Sequence, residues 1–237
     1  MAWLLYGATL VFLVGLGFRL LTYARTPAPL KIPTTPAPVT RAGVVWRLTR
    51  EAVFFESLFK GNLWTWLFGM AFHGGLALEM LRHLRYFLYP VPQWVTWAQP
   101  FGLYGGMVMV LGLTGLWGRR LWVPRIRYIS TPSDHLMLLF LLTLGCSGLI
   151  MTYGLRPDII AVKRFMLGLL YFDVQPFPEG GMVALHLSLV AVLLLIFPFS
   201  KLLHAPGLFF SPTRNQVDNP REHRHQAAWA ARMDTEA

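Results

Sequence analysis

Four of the seven histidines lie inside long apolar segments, where an ionisable side chain is costly and usually functional. They are His73 and His83 in one segment, and His186 and His204 in another. A single histidine in such a segment more often hydrogen-bonds to a neighbouring helix than binds a metal. Two pairs, each on its own segment, instead predict that two haem irons are each held between two imidazoles. Because both axial positions are then filled, such haems carry electrons and bind no oxygen or substrate.

Membrane-spanning helices have to position these histidines. Apolar residues make up 55% of the chain and charged residues only 14%, well below the roughly one quarter of soluble domains. Five segments are long and apolar enough to cross a hydrocarbon layer, which takes about 20 residues. The predicted spans cover residues 3–21, 63–87, 101–117, 135–153 and 182–203. The predicted fold class is therefore an all-α membrane protein with five transmembrane helices.

The net charge of +10 is distributed unevenly among the loops. The first and third loops and the C-terminal tail hold 15 Lys and Arg, against 3 in the second and fourth loops. This asymmetry follows the positive-inside rule and predicts an outside N-terminus and a cytoplasmic C-terminus. It also explains the basic composition without nucleic-acid binding.

The predicted orientation pairs the histidines by depth. The second and fifth spans run in opposite directions, so His83 and His186 belong to an outer haem, and His73 and His204 to an inner haem. The 10-residue spacing in the second span corresponds to a rise of about 15 Å, and the 18-residue spacing in the fifth to about 27 Å. Both pairs can form only with helix tilt or a bend, and Pro198 predicts a kink between the fifth-span ligands.

Other residues are assigned weaker roles by position. Basic side chains beside the histidines could pair with haem propionates or snorkel to the interface; they are Arg82, Arg85 and Lys201. His135 has no obvious partner and is interpreted as interfacial, while His223 and His225 lie in the polar tail. The single cysteine, Cys146, excludes a disulfide or a cysteine-ligated iron–sulfur cluster within this chain.

The loops predict peripheral structure. Residues 26–38 are proline-rich and cannot be helical, whereas residues 41–61 have the apolar spacing of a helix on the cytoplasmic membrane surface. Residues 158–172 are apolar enough to lie against the outer interface, either as packing or as a lid over a quinone site. We thus expect a membrane domain over residues 1–210, with a proline-rich cytoplasmic loop at about 24–60, and a cytoplasmic tail over 211–237.

The histidine spacings and two strings resemble the gamma, or cytochrome b, subunit of respiratory nitrate reductase. The strings are LHLSLVAVLLLIFPFSKLLH at 185–204 and RRLWVPRIR at 119–127. The resemblance implies a five-helix protein with two haem b groups that exchanges electrons between quinone and a cytoplasmic iron–sulfur subunit. It also implies the same haem pairing, with His83 and His186 on one haem and His73 and His204 on the other.

Five further strings, spread over residues 29–225 and including loops, resemble the DsrM family, the cytochrome b subunits of DsrMKJOP complexes. They are PLKIPTT, LRHLRYFLYPVP, RYISTPSD, DIIAVKRFMLGL and FFSPTRNQVDNPREHRH. This resemblance implies the cytoplasmic membrane of a prokaryote that metabolises sulfur. It also implies the other Dsr membrane subunits as partners, among them a DsrK-like iron–sulfur protein related to heterodisulfide reductase.

One departure and two alternatives accompany these resemblances. Nitrate reductase gamma subunits have a lysine between the second and third helices near the quinone, and residues 86–100 contain none. Arg85, Gln99 and Trp97 are the candidate substitutes for this lysine.

Two alternative functions stay open. The first is a subunit of nitrate reductase or of a heterodisulfide-reductase-type complex, and the second, from another class, is a membrane anchor or transporter without haem.

Overall fold

The computed structural model describes residues 1–28 and 30–219, together with residue 232. Over these residues the chain is helical and contains no strand, as the apolar segments predict. The helices in chain order are α1 (Ala2–Arg25), α2 (Arg41–Phe54), α3 (Glu56–Gly61), α4 (Leu63–His83), α5 (Gln93–Trp122), α6 (Pro124–Ile129), α7 (Pro132–Ile150), α8 (Ile159–Leu170), α9 (Gly181–Ile196), α10 (His204–Phe210) and α11 (Pro212–Asn215).

Four of the described helical segments are long and apolar enough to cross a membrane, and the protein is thus a multi-pass membrane protein. They are Ala2–Arg25, Gln93–Trp122, Pro132–Leu155 and Gly181–Phe199, which confirms four of the five predicted spans. The second predicted span forms α4, which has 21 residues. It is not among the four, because its histidines, Glu79 and Arg82 lower its apolar content. Its crossing of the membrane stays a prediction.

The predicted fifth span, 182–203, is helical up to Phe199, and the break at Pro198 is larger than the kink predicted there. α9 ends at Ile196, a 3-10 turn covers Phe197–Phe199, and Ser200 is extended. A second 3-10 turn covers Lys201–Leu203, and His204 begins α10. Proline cannot donate a backbone hydrogen bond and its ring clashes with the preceding turn, so Pro198 ends the helix instead of bending it. The rise of about 27 Å expected between His186 and His204 on one helix therefore does not apply.

The chain forms two compact units. The first unit comprises residues 1–9 and 58–194, and its closest packing is between α4 and α5. Glycines make this approach possible: a Cβ on Gly75 would lie 2.5 Å from the Gly105 carbonyl oxygen. A Cβ on Gly112 would lie 2.5 Å from the backbone nitrogen of Phe72. Only residues without a side chain let the two backbones meet this closely, and α4 is thereby held along its length.

The second unit comprises residues 10–57 and the part from 195 onward. Its proline-rich segment is tied to the C-terminal segment, since the backbone N–H of Asp218 donates to the Pro38 carbonyl at 2.9 Å. Arg47 of α2 is buried and donates to the Thr34 carbonyl at 2.8 Å. The helix predicted over 41–61 divides into α2 and α3 because Phe55 adopts a left-handed conformation, with φ of 50°.

Candidate functional site

The structure brings His83 and His186, two of the four histidines predicted to bind haem, close together inside the first unit. His83 is the last residue of α4, and His186 lies in the second turn of α9. Their ring centroids are 6.5 Å apart, and the two ring planes differ by 18°. Two helix segments whose histidines are 103 residues apart in sequence thus present nearly parallel imidazoles to each other.

The Nδ1 atoms of both rings are engaged by the protein. His83 Nδ1 donates to the Glu79 carbonyl, one turn earlier on α4, at 2.7 Å. His186 Nδ1 lies 2.8 Å from the hydroxyl of Ser147 on α7, and that hydroxyl donates to the Leu144 carbonyl at 2.7 Å. Ser147 therefore accepts from His186. With the proton on Nδ1, the Nε2 atom of each neutral ring carries the lone pair that binds a metal.

This arrangement fits a haem iron. Two imidazoles bound on opposite sides of one metal, with metal–nitrogen bonds of about 2 Å, place their centroids about 6 Å apart. Among the described residues, no group of three or more His, Cys, Asp or Glu side chains is arranged to hold a metal ion. A pair of histidines suits a metal whose other ligands come from a macrocycle, which is the case for haem.

The other two predicted ligands have the same local arrangement. His73 Nδ1 donates to the Gly69 carbonyl at 2.8 Å, and His204 Nδ1 donates to the Lys201 carbonyl at 2.9 Å. Both bonds are made within the residue's own helix or turn and leave Nε2 as the metal-binding atom. His73 belongs to the first unit and His204 to the second, and their pairing stays a prediction.

A buried carboxylate next to His83 was missed by the sequence analysis. Glu79 is 9% exposed, with Oε2 3.5 Å from His83 Nδ1 and Oε1 3.7 Å from Arg82 Nη1. A signal was available, since Glu79 is the only acidic residue in 63–87 and precedes His83 by one helical turn. Ser147 was missed as well, and it carries no comparable signal because its partner lies 39 residues away.

The candidate quinone contacts form a polar group at the α4–α5 end of the first unit. Arg85 Nη1 donates to Gln99 Oε1 at 3.2 Å, and Gln99 Nε2 donates to the carbonyl oxygens of Arg82 and Val95. Trp97 is 68% exposed. The side chain of Arg82 faces Glu79, so the carboxylate is the partner that the structure gives it. Lys201 lies in the second unit, on the 3-10 turn before His204.

The remaining histidines are placed as follows. The prediction that His135 has no partner is wrong, because Trp117 Nε1 donates to His135 Nδ1 at 3.3 Å. This bond joins α5 to α7 and gives His135 a packing role. His223 and His225 lie outside the described residues.

A helical multi-pass membrane protein with facing histidines is the class that this fold and site define. Residues 39–220 match the nitrate reductase gamma subunit family. The match covers more than half of the chain, which therefore belongs to this family.

Two relatives are similar to this chain over most of their length. Both are named Hdr-like menaquinol oxidoreductase cytochrome b-like subunit. The protein of Archaeoglobus fulgidus is 35% identical, with 94% of this chain and 81% of the relative covered. The protein of Archaeoglobus profundus is 32% identical, with 92% and 79% covered.

Proposed function

We propose that the chain is the cytochrome b subunit of a membrane oxidoreductase complex, and that it carries electrons between quinone and a cytoplasmic iron–sulfur partner. The observation that carries this proposal is the His83–His186 pair, with centroids 6.5 Å apart and both Nδ1 atoms engaged. Family membership and the names of the two relatives support it. Two haem b groups are the proposed cofactors, the outer one on His83 and His186 and the inner one on His73 and His204.

The residues of the chain hold and insulate these groups. Bound haem b supplies a site that accepts and releases one electron at a time. The Glu79 carbonyl and the Ser147 hydroxyl fix the ring orientation of the outer ligands and keep Nε2 available to the iron. The apolar helices exclude water, and placing the two pairs at different depths divides the membrane crossing into short electron-transfer steps. The chain acts in catalysis as the quinone-reactive subunit of an oxidoreductase.

We place the quinone head group at Arg85 and Gln99, the polar pair at the α4–α5 end. A shallow apolar groove of about 530 Å³ lies between the same two helices, and its lining includes Leu78, Phe101 and Tyr104. The two helices thus offer an apolar groove and, at one end, hydrogen-bonding side chains, and both features suit an isoprenoid quinone, whose ring is polar and whose tail is not. The Gln99→Ala variant tests this: quinol-analogue binding should weaken about tenfold, the loss of one or two hydrogen bonds, and unchanged binding excludes Gln99.

The proposed partner is an iron–sulfur protein related to heterodisulfide reductase. The names of both relatives contain Hdr-like, which favours this partner over the electron-transfer subunit of a nitrate reductase. Within that group we propose the DsrMKJOP type, with a DsrK-like partner and a role in dissimilatory sulfur metabolism, because the five matching strings include loops. The proposed location is the cytoplasmic membrane of a prokaryote, with the N-terminus outside.

Purification of the native complex tests the choice of partner. Affinity-tagged chain from its own membranes should co-purify with a cysteine-rich iron–sulfur protein of heterodisulfide-reductase type. Co-purification with the electron-transfer subunit of a molybdenum enzyme would instead support the nitrate reductase alternative. A chain that serves as a membrane anchor or transporter without haem would show no absorption bands of b type.

A further inference from the structure

Glu79 is a carboxylate inside the α4 helix that the proposed electron transfer does not by itself require. Its exposure is 9%, and a carboxylate removed from water loses the hydration that stabilises its charge. Glutamate side chains are almost never buried unless they are paired. The side chain therefore needs compensating contacts and a reason for its position.

The surroundings of the carboxylate are built to hold it against His83. Oε2 lies 3.5 Å from His83 Nδ1, and Oε1 lies 3.7 Å from the guanidinium of Arg82. On the opposite helix, a Cβ on Gly106 would lie 2.5 Å from Oε1, so glycine leaves the space that the carboxylate fills. The backbone carbonyl of the same residue accepts the Nδ1 proton at 2.7 Å. Both polar groups of Glu79 thus face one imidazole nitrogen.

The two proposed ligands of the outer haem, His83 and His186, differ in the groups that contact their Nδ1 atoms. The Nδ1 atom of His186 has a neutral hydroxyl as its partner, from Ser147. The Nδ1 atom of His83 has a carbonyl oxygen at 2.7 Å and, in addition, a carboxylate oxygen at 3.5 Å. A negative group behind the N–H of a metal-bound imidazole raises the basicity of the ligand and stabilises the more positively charged metal. For a haem, this favours the ferric over the ferrous state.

We propose that Glu79 is a positioning residue for His83 that lowers the midpoint potential of the outer haem. The proposal rests on the proposed function, since it requires haem on His83 and His186. Arg82 holds the carboxylate in place and offsets part of its charge. A lowered potential at the outer haem creates a driving force for electrons to leave it toward an acceptor of higher potential.

The Glu79→Gln variant of the assembled complex tests the proposal. Gln has the same size, and the backbone bond to Nδ1 remains, so the ring orientation is kept while the charge is removed. Optical redox titration should show one b-type transition shifted upward, by an amount on the order of a tenfold change in the ratio of reduced to oxidised haem, which is about 59 mV for one electron. The shifted transition should be the one that disappears in His83→Ala.

A matched control removes a carboxylate elsewhere. Glu179 is exposed and lies just before α9, and Glu179→Gln should leave both transitions in place because water and salt screen the lost charge. Unchanged transitions in Glu79→Gln, with both haems bound, would overturn the inference. Wild-type protein without haem would instead overturn the proposed function, so the two failures are distinguishable.

A second variant keeps the test decisive if Glu79→Gln does not accumulate. Gly106→Ala introduces a methyl group that meets Oε1 and also approaches a Leu149 methyl carbon at 3.1 Å. It displaces the carboxylate from α5 without changing any charge or touching His83. The same transition should shift while the other stays, and two unmoved transitions would refute the positioning role.

Discussion

The imidazole rings of His83 and His186 lie with their centroids 6.5 Å apart and their planes 18° from parallel. His83 lies on α4 and His186 on α9, and four helices lie between these two in the sequence: α5, α6, α7 and α8. Each ring has its Nδ1 atom engaged, one by the Glu79 carbonyl and the other by the Ser147 hydroxyl. Two rings held in this way suit the proposed role as axial ligands of one iron.

Removal of either ring should therefore remove the same haem. We expect His83→Ala and His186→Ala each to lose one of two haems, and the double variant to lose no more than either single one, because one iron needs both ligands. His135→Ala is the control, since His135 bonds to Trp117 and should leave the haem content unchanged. Pyridine haemochrome assays per chain measure the outcome. Loss of two different haems from the two single variants would refute the pairing.

The hydroxyl of Ser147 should contribute measurably to the site. Ser147→Ala removes the partner of His186 Nδ1, and we expect the outer haem to be held about 1 kcal/mol less tightly, or roughly fivefold more weakly. Thr143→Ala is a matched control on the same helix, because its hydroxyl bonds only to the Leu139 carbonyl one turn earlier. Haem retention during detergent washing compares the two variants. Equal retention would show that Ser147 does not support His186.

The contact between α4 and α5 should tolerate an alanine at Gly74 but not at the adjacent Gly75. A Cβ on Gly75 would lie 2.5 Å from the Gly105 carbonyl oxygen and 2.6 Å from the Met109 nitrogen, whereas a Cβ on Gly74 meets nothing within 4 Å. Gly75→Ala should therefore destabilise the protein by about 1–3 kcal/mol, the usual cost of overpacking. Gly74→Ala should cost nothing. Thermal unfolding in detergent compares them, and equal midpoints would contradict the observed packing.

The orientation inferred from the loop charges can be tested with reporter fusions. Alkaline phosphatase joined after Pro90, in the loop without Lys or Arg, should be active because that loop is predicted to be outside. Phosphatase joined after Val123, beside the basic residues of the third loop, should be inactive, and green fluorescent protein at that point should fluoresce. The reverse pattern would show that the predicted topology is inverted, and the haems assigned to the outer and inner sides would be exchanged.

The sequence was most informative where a single local property decides the structure. Continuous apolar runs predicted α1, α5, α7 and α9, and the rarity of histidine in such runs singled out His83 and His186. The extent of the break at Pro198 was not predictable from composition, because a proline can either bend or end a helix.

Hydrogen bonds between helices of the first unit could not be predicted from the sequence, for a different reason. The bonds from His186 to Ser147 and from Trp117 to His135 join residues on different helices, and their formation depends on how those helices rotate and pack. Glu79 was the exception. Its position one turn before His83 was visible in the sequence, and only its burial had to come from the structure.

The haem content of the purified wild-type chain tests the central claim most directly. The account predicts two haem b groups per chain, seen as b-type bands in the reduced-minus-oxidised spectrum and counted as pyridine haemochrome against protein concentration. The account would be contradicted by folded protein that shows no b-type bands after purification from the membranes of cells grown with haem available.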